Sequence, residues 1–97
     1  MDTAGADCLF VPGVIDADTI TALVRAVDGP LNIMAMLGAP SVAQLGQFGV
    51  ARVSLGSALA QAALATTQQA ARELLEQGTY HALERSLPFG TLNNMFI

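Results

Sequence analysis

Leu31-Asn32-Ile33-Met34-Ala35-Met36, preceded by Asp28-Gly29-Pro30 and followed by Pro40-Ser41, is the stretch on which the fold turns. It is short, rich in strand formers and bounded by turn residues, the marks of a β-strand. It lacks a clean apolar-polar alternation. Two other runs share these features, residues 8–11 (Cys8-Leu9-Phe10-Val11) and 51–55 (Ala51-Arg52-Val53-Ser54-Leu55). Strands of that kind are covered on both faces, as in a parallel sheet wrapped by helices.

Between the runs the period changes from two to that of a helix. A first helix is expected near 17–27, opened by the short oxygen side chains around Asp16 to Thr19, with Ile20, Leu23, Val24 and Val27 as its apolar stripe. A second, near 42–48, is capped by Ser41, places Val42 and Leu45 on one face, and leaves through Gly49. A third runs near 58–77 and offers Leu59, Ala62, Ala63, Ala70, Leu74 and Leu75 to a sheet or a neighbour. Gly78 stops it, and Thr79 opens a last helical segment near 79–85. The result is an α/β unit over 1–97 with strands near 8–11, 31–36 and 51–55, three consecutive parallel strand-helix units in one domain.

The chain has 97 residues, 53% hydrophobic and only 12% charged, so much of its surface is suited to burial. Its net charge of −4 and its four scattered arginines, with no lysine, argue against nucleic acid as a partner. No apolar run approaches the roughly 18 residues that a bilayer crossing requires, so no membrane association is expected. The opening Met1-Asp2-Thr3-Ala4-Gly5-Ala6-Asp7 has no basic segment leading an apolar one, which makes a cytoplasmic location the expectation. Cys8, inside an apolar run, reads as a small buried hydrophobe.

Three segments taken in series carry a family resemblance. Residues 4–14 (Ala-Gly-Ala-Asp-Cys-Leu-Phe-Val-Pro-Gly-Val) resemble the sixth strand of isocitrate lyase/phosphoenolpyruvate mutase proteins. Gly29-Pro30-Leu31-Asn32-Ile33 resembles their seventh strand, and residues 49–59 their eighth strand with the start of its helix. The resemblance covers roughly residues 4–92 and implies the last three units of a TIM (β/α)8 barrel, whose active site lies at the carboxyl ends of the strands. It also implies a magnesium-dependent carbon-carbon lyase or phosphonomutase acting on a small 2-oxo or enol carboxylate.

In such proteins the magnesium-binding carboxylates, the loop lysine or cysteine and the fifth-strand arginine precede the region that this chain resembles. No catalytic residue, metal ligand or cofactor site is therefore expected here, and the magnesium belongs to the intact family enzyme. By the same alignment Pro12 stands where the lyases carry a glutamate and Met34 where they carry an asparagine. The chain is thus closer to the phosphonomutase-like branch.

Pro12 and Gly13, Met34, and Gly56 and Ser57 follow or end the strands, so they are the candidate substrate-binding residues of a complete barrel. Gly56-Ser57 also has the form of an anion-binding turn. A tight turn with a serine cap explains it better, since no second glycine follows at phosphate-loop spacing. His81 has no partner spacing for a triad or metal pair and reads as a surface residue.

Alone, the chain is expected to be inactive. Its inner sheet face is expected to carry Leu9, Val11, Ile33 and Val53. Its partners are expected to be an N-terminal barrel portion or further copies of itself, engaged through the strand edges and the tail from Leu87 to Ile97, with a small carboxylate bound only in the intact form. The alternative is a truncated, non-catalytic remnant acting in assembly or binding.

Overall fold

The computed structural model describes residues 4–96. Met1 to Thr3 and Ile97 lie outside the described residues, and with them the start of the N-terminal reading and the end of the tail. The chain divides into two compact units, one running to Leu59 and the other starting at Ala60.

In the first unit, strands β1 (Leu9–Phe10), β2 (Leu31–Met34) and β3 (Arg52–Ser54) form a parallel sheet in chain order. Helix α1 (Ala17–Ala26) connects β1 to β2, and α2 (Val42–Phe48) connects β2 to β3. This is the strand-helix repetition that resembles consecutive units of a (β/α)8 barrel. Leu9 stands opposite Leu31, Phe10 and Arg52 opposite Asn32, Ile33 opposite Val53, and Met34 opposite Ser54.

Side chains at facing positions of a parallel pair share one side of the sheet, and successive residues alternate sides. Leu31 and Ile33 turn toward the helices and, with Ile20 of α1 and Leu45 of α2, form a core exposed by 1% or less. Leu9, Val11 and Val53 pack against that core, as do Leu23, Val24 and Val27 of the α1 stripe. The expected inner face is therefore corrected. The side turned away from the helices carries Phe10, Asn32, Met34, Arg52 and Ser54.

Local chemistry sets the helix limits. Asp16 Oδ2 accepts hydrogen bonds from the Thr19 backbone N–H and hydroxyl and so caps α1. Ser41 Oγ accepts from Gln44 N at 3.2 Å while Gln44 Oε1 accepts from Ser41 N at 2.8 Å, a reciprocal cap on α2. Gly49, at φ 96°, makes the left-handed exit, and a methyl group added there would come within 2.8 Å of Val24 Cγ1. Val42 does not share the buried face with Leu45: it is 70% exposed, and Phe48, three residues after Leu45, packs on the core instead. Val42 is the first residue of α2, a turn short of the buried stripe. Cys8 is exposed, contrary to the buried reading, because it precedes the first residue of an outer strand.

The boundary between the units falls inside helix α3 (Ala58–Gln77). No residue of α3 is buried, and Leu59, Leu74 and Leu75 are 70%, 53% and 86% exposed, so the expected stripe has no cover. Residues 79–85 do not form a regular helix. A single 3-10 turn over His81–Leu83 stands there, because the Thr79 hydroxyl donates to Glu73 Oε2 at 2.6 Å rather than capping a new helix. A short helix α4 (Phe89–Asn93) follows, with Phe89 and Phe96 each 81% exposed. Among the described residues, no helix is long and apolar enough to cross a membrane.

Candidate functional site

The carboxyl ends of three parallel strands lie at one end of the sheet, so the turns that follow them share a rim. After β1 the chain passes through Pro12 and Gly13, both exposed, with Gly13 at φ 81°. Beyond β2, Ala35 N donates to Ser54 O at 2.7 Å, which ties the second rim segment to the third. Past β3 lie Gly56, at φ 56°, and Ser57, after which α3 begins.

Two of the five candidate residues are in direct contact. A methyl group at Gly56 would meet Met34 Sδ at 2.7 Å, so the absence of a side chain at Gly56 lets the thioether lie against the β3-α3 turn. Met34 is thereby partly buried, while Met36 is 42% exposed. No charged side chain stands among Pro12, Gly13, Met34, Met36, Gly56 and Ser57. The segment presents an uncharged wall with one hydroxyl.

The same sheet face holds a polar network that runs back from the rim. Asn32, only 3% exposed, donates from Nδ2 to Ser54 Oγ at 3.1 Å and accepts at Oδ1 from Arg52 Nη1 at 3.0 Å. Both ends of the buried amide are satisfied, as burial requires. The sequence reading missed this network, although Arg52 and Ser54 alternate with Ala51, Val53 and Leu55.

The second unit contains its own cavity of about 270 Å³, lined by Thr67, Ala70, Leu74, Tyr80 and Leu83 among others. Its polar lining residues Glu73 and Thr79 are bonded to each other. His81 is exposed and lies 3.8 Å from Glu84.

Against known proteins, the family model described as phosphoenolpyruvate phosphomutase matches residues 2–75. The chain belongs to the phosphoenolpyruvate phosphomutase family. An uncharacterized protein of Mycobacterium tuberculosis, found in two strains, is 39% identical over 89 residues, which is 92% of this chain and 33% of the relative. A crystal structure of a candidate lyase/mutase from Burkholderia cenocepacia superimposes with a TM-score of 0.89 and 43% identity, over 96% of this chain and 34% of that one. A candidate phosphonomutase of the same organism gives 0.66 and 39%, over 78% and 29%. This phosphomutase-family chain spans about a third of the length of the relatives it matches.

For a phosphomutase-family protein the donor set here is sparse. Among the described residues, no three His, Cys, Asp or Glu side chains converge as a metal site. Asp16, the acid nearest after the β1 turn, spends its carboxylate on Thr19, whose hydroxyl and backbone N–H hold it below its usual pKa. The donors present do not fit a magnesium ion, which requires several oxygen ligands in near-octahedral array.

Proposed function

We propose that this chain supplies one wall of the active site of a phosphoenolpyruvate mutase/isocitrate lyase-type enzyme. The reaction would be magnesium-dependent carbon-carbon lysis or phosphonomutation of a small 2-oxo or enol carboxylate. The agreement with the candidate lyase/mutase, at 43% identity and a TM-score of 0.89 over 96% of the chain, carries this reading. Pro12, Gly13, Met34, Gly56 and Ser57 line the substrate side, with their uncharged surface excluding water from the reacting centre. The charged groups of the substrate and the metal would be met by strands beyond these three.

A chain that provides a wall without metal donors has no turnover of its own. Purified alone, with magnesium, it is expected to leave isocitrate, 2-methylisocitrate, phosphoenolpyruvate and oxaloacetate unchanged. Turnover above background that chelation abolishes would overturn this division of labour. Joined to the remainder of a family barrel, the same residues are expected to tune KM. In that setting Met34→Gln would raise KM for the substrate more than it lowers kcat.

A further inference from the structure

Among the described residues of the strands, Arg52 is the one cation on the side of the sheet that faces away from the helices. It stands at the amino end of β3, the last strand in the order β1-β2-β3. Asn32 holds its Nη1 at 3.0 Å, and Asn32 is in turn held by Ser54 at 3.1 Å. Among the described residues, no carboxylate forms an ion pair with this guanidinium. The arrangement holds one N–H of a planar fork toward β2 and leaves the guanidinium, on an exposed residue of the edge strand, open to a further partner. A pre-organised guanidinium of that kind suits a carboxylate taken in two parallel hydrogen bonds.

Position decides between a substrate and a protein group. Gly56, on the rim, is four residues beyond Arg52, roughly 13 Å along an extended strand. A substrate seated on the Gly56 turn is therefore farther from Arg52 than a facing residue on an adjacent strand. Adjacent strands lie roughly 4.8 Å apart and facing positions share one side of the sheet. We propose that Arg52 is a closure clamp: held by Asn32, it forms an ion pair with an Asp or Glu side chain on a further parallel strand that lies along the outer edge of β3. The clamp rests on the reading of the chain as part of a larger barrel. It adds to that reading a residue that chooses which strand closes on β3, by charge rather than by apolar area.

The test mixes the 97-residue chain with the remainder of the Burkholderia cenocepacia lyase/mutase, the portion that this chain does not match, and follows association by sedimentation at low and high salt. The native chain is expected to bind, more tightly at low salt. Arg52→Met is expected to weaken binding at least tenfold and to remove most of the salt dependence, Arg52→Lys to fall between, and Arg72→Met on α3 to match the native chain. Should Arg52→Met fail to fold by circular dichroism, Arg52→Lys decides, since it keeps the charge and loses the fork. Failure of the native chain to bind overturns the barrel reading and the clamp together. Binding by Arg52→Met equal to native overturns the clamp alone. Salt-dependent self-association that disappears in Arg52→Met would give the surface to a second copy and also overturn the clamp.

Discussion

The two units solve the same problem of apolar surface differently. Up to Leu59, four large side chains (Ile20, Leu31, Ile33 and Leu45) are essentially removed from water, around a sheet only three strands wide. From Ala60 onward no described residue falls in the buried class, although Leu64, Leu74, Leu75, Phe89 and Phe96 are all large and apolar. Large apolar side chains are present in both. What separates them is layering: β2 has a strand on each side and helices over one face, whereas α3 has only its own 3-10 turn and α4 as neighbours in its unit. Burial follows from having a second layer, not from hydrophobicity alone.

The sharpest way to break this comparison is to remove one side chain from each unit. Ile33→Ala or Leu45→Ala empties a fully enclosed site and is expected to cost about 2–5 kcal/mol, enough to unfold the first unit. Leu75→Ala, at a position 86% exposed, is expected to change stability by less than about 0.5 kcal/mol. Urea denaturation followed by circular dichroism measures both. Equal losses would show that α3 is buried in solution and would erase the contrast.

Backbone shape gives a smaller effect inside the first unit. Gly49→Ala forces a β-carbon into a left-handed conformation and against Val24 of α1, with an expected loss of about 1–3 kcal/mol. Gly56→Ala meets the end of a flexible thioether instead, so Met34 yields and the loss is expected to be the smaller of the two. Thermal melts of the pair check the order. Ser41→Ala removes half of the reciprocal cap on α2 and is expected to cost about 1 kcal/mol, read by the same melts.

Much of the first unit was legible in the sequence because each of its signals is local. Asp16 and Ser41 announce helix starts through their oxygen atoms, Gly49 announces an exit through its φ, and the unbroken run at Leu31 to Ile33 announces a strand enclosed on both sides. The sides of the sheet were not legible from apolar content, since Val11, Ile33 and Val53 suit either one. The polar residues held that information: Asn32, Arg52 and Ser54 fall on one side by alternation, which turns Ile33 and Val53 toward the helices. Val42 was misjudged, and Phe48 passed over, for a different reason. Both lie three residues from Leu45, and only the sheet's position decides which of them meets the core. The candidate rim residues were placed at the strand ends by period alone. The contact between Met34 and Gly56 depends on a side-chain path that no spacing rule supplies.

In the second unit the missed element was the 3-10 turn, and its cause is a single carboxylate that yields the most local of the predictions. Glu73 accepts from the Thr79 hydroxyl at 2.6 Å, from His81 N at 2.8 Å and from Ala82 N at 2.7 Å. These donors, led by Thr79 and then Ala82, hold its carboxyl below the ordinary value of 4.5. Because the folded pKa is lowered, the stabilisation is fully present above the unfolded value and is lost as pH falls through the folded one. The group is part-buried and bonds only to residues 79–82, so the effect is confined to the turn and leaves the core of the first unit untouched. Amide resonances of His81 and Ala82 are expected to titrate together below pH 4.5, while those of Leu31 and Ile33 stay fixed. Glu73→Gln would abolish that titration and speed hydrogen exchange at His81 and Ala82. Loss of signal at Leu31 and Ile33 in the same pH range would mean that the two units unfold as one, and that their different burial does not give them separate stabilities.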